Sequence, residues 1–169
     1  ATSVTKSGLT LSNGTAYYVS VRATDNAENV STTIISDGVI VDTAAPTAGN
    51  VTDSTAVDLD WTRSTSSLTS TWTGFSDALS GIQKYEYVIG TTSGGTDVVT
   101  WTDNSTTTSV TKTGLTLTNG TTYYISVRAT DNVGNVSTVA TADGITVDTN
   151  APVLETPFEG SLTADRDYQ

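Results

Sequence analysis

The 169-residue sequence contains no cysteine, no histidine and no methionine. Without cysteine there is no disulfide, no thiolate nucleophile and no zinc–sulfur site. Without histidine the commonest general base and the commonest transition-metal ligand are missing, so Ser–His and Cys–His nucleophile pairs are excluded. Charge is scarce, at 15% of residues against the usual ~25%, and it is one-sided. Seven basic residues face 18 acidic ones, for a net charge of -11. That balance argues against nucleic acid as a partner, because phosphates need clustered Lys and Arg, and against anionic membrane surfaces. No apolar run approaches the ~18 residues of a spanning helix, so no membrane insertion is expected, and no signal-peptide pattern is visible.

Hydroxyl side chains fill the space that charge leaves. The chain carries 37 Thr and 19 Ser. Thr is β-branched and suits the outer face of a sheet. With helix formers scarce and 36% of residues hydrophobic, the composition predicts an all-β protein with a packed core.

An internal repeat organises the chain. Residues 1–46 and 107–152 align without gaps, with 32 identities in 46 positions, from ATSVTKSGLTLSNGTAYYVSVRATDNAENVS against TTSVTKTGLTLTNGTTYYISVRATDNVGNVS to VDTAAP against VDTNAP. VDLDWT, around Asp58 and Asp60, is echoed by ADRDYQ, around Asp165 and Asp167. The period, about 106 residues, is domain-sized. It predicts the back part of a first repeat over 1–43, a complete repeat over 44–149 and the start of a third over 150–169, as in a segment of a longer tandem array.

Within the complete repeat, short runs alternate between apolar and polar residues and are bounded by turn signals. In Tyr123 to Thr130, YYISVRAT, Tyr123, Ile125, Val127 and Ala129 share one face and Tyr124, Ser126, Arg128 and Thr130 the other. This is the pattern of a strand buried on one side. The earlier copy places Tyr17, Val19, Val21 and Ala23 on the inner face. SLTSTW puts Leu68, Ser70 and Trp72 together, and IQKYEYVI does the same for Tyr85, Tyr87 and Ile89. Residues 98–101, 109–117 and 144–148 bring the set to roughly seven strands, and Asn119-Gly120 and Asn13-Gly14 mark turns, since Asn and Gly tolerate positive φ. Short strands at regular spacing predict an antiparallel sandwich.

Leu117 precedes Tyr123 by six residues, with Asn119-Gly120 between them. This resembles the leucine-to-tyrosine corner of fibronectin type III and related bacterial immunoglobulin-like domains, and Trp72 resembles the core tryptophan of their second strand. ATDNVGNVS and VDTNAP are similar to phrases common in tandem repeats of bacterial surface and secreted proteins. The interval from Pro46 to Trp72, about 26 residues, is longer than that family leads one to expect. The resemblance implies tandem antiparallel β-sandwiches that serve without catalysis as a stalk, spacer or filament segment of a long adhesin-like protein outside the cell or at its surface. The partners implied are adjacent repeats of the same chain, neighbouring copies in a filament, and a glycan or cell-surface ligand. An alternative is an accessory, linker or carbohydrate-binding module of a secreted carbohydrate-active enzyme.

On that fold, the loops FSDALSGI and TDNVGN lie at the end of the sandwich that receives the preceding repeat. Asp77 and Asp131 in those loops, with Asp42 in the VDTAAP hinge, would then meet at the junction and could hold calcium, a hard cation that takes oxygen ligands. Asp148 would repeat the arrangement one junction further on, and Asp25 and Asn26 belong to the junction before. The competing reading is that Asp and Asn simply form turns and caps there. Asp58 and Asp60, two apart on an expected strand, would share a face, as a cation site or as ordinary solvated residues. Tyr18, Tyr124, Trp61 and Trp101 are candidates for stacking on sugar rings or for packing across strands. Glu86 and Lys84 read as a surface charge pair, and no pair of carboxylates suggests a catalytic cleft. N-x-S/T sequons occur at Asn13, Asn29, Asn50, Asn104, Asn119 and Asn135, which are glycosylation acceptors if the source glycosylates its secreted proteins.

Overall fold

The structure, a computed structural model, describes residues 3–55 and 57–153. Most of the third repeat predicted for 150–169, with Asp165 and Asp167, lies outside those residues. Thirteen strands and no helix occur among the described residues: β1 (Ala16–Tyr17), β2 (Ser20–Val21), β3 (Ile34–Ile35), β4 (Val39–Ile40), β5 (Asn50–Asp53), β6 (Trp61–Thr62), β7 (Ser67–Thr73), β8 (Ile82–Gly90), β9 (Val99–Asp103), β10 (Ser109–Thr113), β11 (Thr122–Asp131), β12 (Ala140–Thr141) and β13 (Ile145–Val147). No helix among them is long and apolar enough to cross a membrane.

Strands β5 to β13 form the expected sandwich. One sheet has the order β10-β7-β5; the other runs β6-β13-β11-β8-β9, with β12 also paired to β11. The alternating residues meet between them. Leu68, Ser70 and Trp72 of β7 are buried, as are Tyr85, Tyr87 and Ile89 of β8 and Tyr123, Ile125, Val127 and Ala129 of β11. Each fully buried large apolar side chain contributes about 1.5–3 kcal/mol. The aromatic contacts are edge-on: Tyr85 meets Trp72 at 5.8 Å between ring centroids and Phe75 at 5.5 Å, geometries that the ring quadrupole favours.

The long Pro46–Trp72 interval has a structural cause. The chain pairs first with β7 through β5, then crosses to the other sheet, where β6 lies parallel to β13 with Trp61 opposite Thr146. One edge segment therefore serves both sheets, and the crossing loop lengthens the interval. It also corrects the expected DxD strand. Only Trp61 and Thr62 are extended there, and Asp58 and Asp60 precede them in a loop.

The corner at the start of β11 is closed by a hydrogen bond. The Thr118 N–H donates to the Tyr123 hydroxyl at 2.9 Å, beside buried Leu117. The first copy repeats it, Ser12 N–H donating to Tyr17 at 2.9 Å. Its strand pairings also match at the repeat offset. Tyr17 faces Val39 as Tyr123 faces Ile145, and Val21 faces Ile34 as Val127 faces Ala140.

The surroundings of the two copies differ. Val127 is fully buried, whereas Val21 is 59% exposed and Ile34 74%. The inner face expected for Val19 and Val21 is thus formed but uncovered, because among the described residues no second sheet packs on β1 to β4. The contrast generates a prediction. Tyr123→Phe strands the Thr118 N–H in a half-buried site and is expected to cost about 1–3 kcal/mol in urea unfolding, whereas Tyr17→Phe, at an exposed corner, leaves the midpoint within experimental error.

Candidate metal centre

The hinge residue Asp42 precedes β5, Asp77 lies in the β7–β8 loop and Asp131 ends β11. Carboxylate oxygens of these three residues lie within 4.8 Å of one another. Calcium binds oxygen at ~2.3–2.6 Å, so ligands on opposite sides of one ion stand up to about 5 Å apart, and the spacing fits.

Each loop is wound around its own aspartate. Asp131 Oδ1 accepts the N–H groups of Val133, Gly134 and Asn135 at 3.0, 2.7 and 2.8 Å. Asp77 Oδ1 accepts those of Leu79, Ser80 and Gly81 at 3.2, 2.8 and 2.8 Å. Asp25 does the same for Ala27 and Asn29 in the first copy. The turn-forming role set against cation binding is therefore present, and it is what fixes the carboxylates in place.

Two asparagines tie the loops together. Asn132 Nδ2 donates to the Ser80 carbonyl at 2.7 Å, and Asn135 Nδ2 donates to the Ala44 carbonyl at 3.1 Å and to Asp131 Oδ2 at 2.8 Å. Burial works against a charge on Asp131, but the hydrogen bonds from Asn135, Val133 and Gly134 outweigh it and hold the carboxyl below its ordinary range. Asp42 is different. Its Oδ1 accepts the Ala44 N–H at 3.0 Å, while its Oδ2 is buried without a hydrogen-bond partner. No Lys or Arg among the described residues pairs with any of the three, since the ion pairs there are those of Lys84 and Arg128. An orphaned carboxylate oxygen among hard, anionic donors suits a hard cation.

Asp148 stands in the same local frame as Asp42, its Oδ1 accepting the Asn150 N–H at 2.8 Å. It joins no acidic cluster among the described residues. Asp58 does join one, but with Asp53 and Asp143 rather than Asp60. Sequence reading missed Asp53, because TDS gives no alternation that marks an inward carboxylate.

The aromatic candidates do not form one platform. Trp61 and Trp101 lie on β6 and β9, the opposite edges of the larger sheet, about 19 Å apart at ~4.8 Å per strand. The Arg128 guanidinium covers the Trp101 ring at 4.1 Å from its centroid, so that face is occupied by a cation–π contact. Tyr124 packs over Gly144 as Tyr18 packs over Gly38. Asn13 and Asn119 accept the N–H groups of Thr43 and Thr149, each at 2.7 Å, as turn residues.

Glu86 sits in a larger network than the expected pair. Lys84 Nζ lies 3.2 Å from Glu86 and 3.1 Å from Asp103, and Arg128 Nε donates to Glu86 Oε2 at 3.0 Å. Burial raises the Glu86 pKa, but hydrogen bonds and charge from Arg128 and Lys84 prevail and leave it below the ordinary value. The stabilisation is therefore present above that ordinary value and is lost as pH falls through the lowered one. Glu86→Gln is expected to cost about 1 kcal/mol at neutral pH, with the deficit in urea unfolding shrinking as pH falls through the acid range. A deficit that does not change with pH contradicts the ionic account.

No family model matches the chain. A segment of exoglucanase B from Cellulomonas fimi is 39% identical over 160 residues, covering 88% of this chain but only 13% of that protein. Among solved structures, the fibronectin type III domain derived from the human KIAA0970 protein is 20% identical, covering 66% of this chain and 82% of that one, with a TM-score of 0.38.

Proposed function

We propose that the chain is a non-enzymatic spacer, built of tandem β-sandwich repeats in a longer extracellular polypeptide, whose junctions are stiffened by calcium. The carrying observation is the trio of Asp42, Asp77 and Asp131, one from the hinge and two from the loops it meets. In this reading residues 1–43 are the back part of one repeat, residues 44–149 a complete one and residues 150–169 the opening of the next, with Asp148 serving the following junction. The matching registers of the two copies at one offset support that division. The exposed apolar face of β1 to β4 is the inner face of a sandwich whose other strands would cover it, as β5 and β7 help cover its counterpart.

The attachment we favour is the accessory region of a carbohydrate-active enzyme. A segment of an exoglucanase resembles nearly the whole chain while making up a small part of that enzyme, as a non-catalytic module between other parts would. The expected adhesin stalk has the same mechanics. The full-length reading frame distinguishes them: a catalytic domain in frame supports the enzyme linker, and a long run of further copies supports the stalk.

The calcium junction is tested by X-ray scattering in calcium and in chelator. Chelation is expected to broaden the distance distribution, and Asp77→Asn to do the same with calcium present. Binding at the ~0.1–1 mM affinity typical of extracellular modules raises the melting temperature by about 5 °C at 10 mM calcium. Scattering curves that superimpose with and without the ion overturn the junction.

A further inference from the structure

A second acidic cluster lies away from the hinge, where the edge segment crosses between sheets. Carboxylate oxygens of Asp53, Asp58 and Asp143 lie within 4.8 Å of one another. They come from the end of β5, the loop before β6, and the link between β12 and β13. We propose that these three side chains form a second calcium site, one that holds the crossing edge segment to the last strand within a single repeat.

The carrying observation is Asp53. In β5, Val51 and Asp53 are buried while Asn50 is exposed and Thr52 half-buried, so the Asp53 carboxylate points into the sandwich. The residue has no exposed surface. Its Oδ2 accepts the Gly144 N–H at 3.1 Å, and its Oδ1 is buried without a partner. An ionised carboxylate in such a place needs a counter-charge or more donors, and no Lys or Arg among the described residues pairs with it. What faces it is further negative charge. Burial first, then Asp58 and Asp143, push its pKa up, to about 7, against the lowering by the Gly144 N–H.

The neighbours are set as ligands of a partly hydrated ion would be. Asp58 is tied to the first carboxylate's own backbone, accepting the Asp53 N–H at 2.9 Å on Oδ1. Asp58 and Asp143 are exposed, so an ion held by buried Asp53 would have an open side for water, and calcium completes its shell of 6–8 oxygens with waters. The backbone leaves the ordinary strand conformation beside two members of the cluster. Ser54, directly after Asp53, has φ +126°, and Gly144, directly after Asp143, has φ +106°. A Cβ on Gly144 would also collide with Tyr124, at 2.7 Å from its Cε1, so only glycine fits this bend.

The sequence repeats the same acids in the neighbouring copies. At the repeat offset Asp143-Gly144 corresponds to Asp37-Gly38, Asp53 to Glu159, and, after the one-residue slip, Asp58 to Asp165. All the positions that the copies share in this chain remain acidic.

The site is separable from the hinge. In the 169-residue chain carrying Asp42→Asn/Asp77→Asn, which silences the junction, calorimetric titration with calcium is expected to retain one bound ion per chain. Adding Asp143→Asn, an exposed change that leaves the fold intact by circular dichroism, is expected to weaken that binding at least tenfold. Asp58→Asn is expected to do the same. Calcium should raise the melting temperature of the silenced chain and not that of the Asp143→Asn version. A silenced chain that binds no calcium, or one whose affinity is unchanged by both Asp143→Asn and Asp58→Asn, overturns this site. Loss of binding only on Asp42→Asn/Asp77→Asn overturns it while upholding the junction.

Discussion

The burial of one face of β11 is the constraint on which the molecule depends. Tyr123, Ile125, Val127 and Ala129 are almost wholly withdrawn from water, while Arg128 on the other face reaches Glu86 and Trp101. Because side chains alternate, a slip of one residue would drive Arg128 into the core and Val127 into solvent. The register against β8 is therefore continuous from Tyr124 to Thr130, and a bulge before Asp131 ends it. At the start, Tyr123 turns back to close the corner with Thr118. At the finish, Asp131 emerges where its oxygens wind the following loop. The acidic junction is placed by the packing of a hydrophobic strand.

The features that follow from period-two alternation were legible in the sequence. The inner residues of β7, β8 and β11 were readable because each strand has one wet and one dry face, and the tyrosine corner because Asn-Gly marks the turn before it. The meeting of Asp42, Asp77 and Asp131 was readable only through the resemblance, which puts both loops at the end of the sandwich that the hinge enters. Pattern failed at the edge. VDLDWT alternates like a strand, but its hydrogen-bonding partner is β13, met in parallel and only at Trp61 and Thr62. Asp53 was hidden because an acid on the inner face of a short edge strand defies the rule by which such strands are read. Its position depends on a bend at Gly144 more than 90 residues away in sequence.

The charge distribution follows the same division. Thr and Ser, rather than charged pairs, cover the outer faces, so few cations are available. Lys84 and Arg128 are both committed to one surface network around Glu86. The two acidic clusters are left to themselves. Like charges held within 4.8 Å of one another disfavour the fully ionised cluster. A cluster of this kind persists by taking up protons or by taking up a cation. Asp131 is held ionised by its hydrogen bonds, which closes the first route for that member of the hinge cluster.

The two clusters would then divide the mechanical work. The hinge cluster joins a short connecting segment to the loops of the sandwich it enters, so an ion there restrains the angle between repeats. The edge cluster joins β5, the crossing loop and the β12–β13 link inside one sandwich, so an ion there restrains the place where a strand leaves one sheet for the other. The pairing there is short, because β6 contributes only two residues. If the chain works as the proposed spacer, force passing through the hinge would enter the sandwich through β5 and the crossing loop. Oxygen ligands at both points would then let one ion type resist bending between repeats and peeling within them.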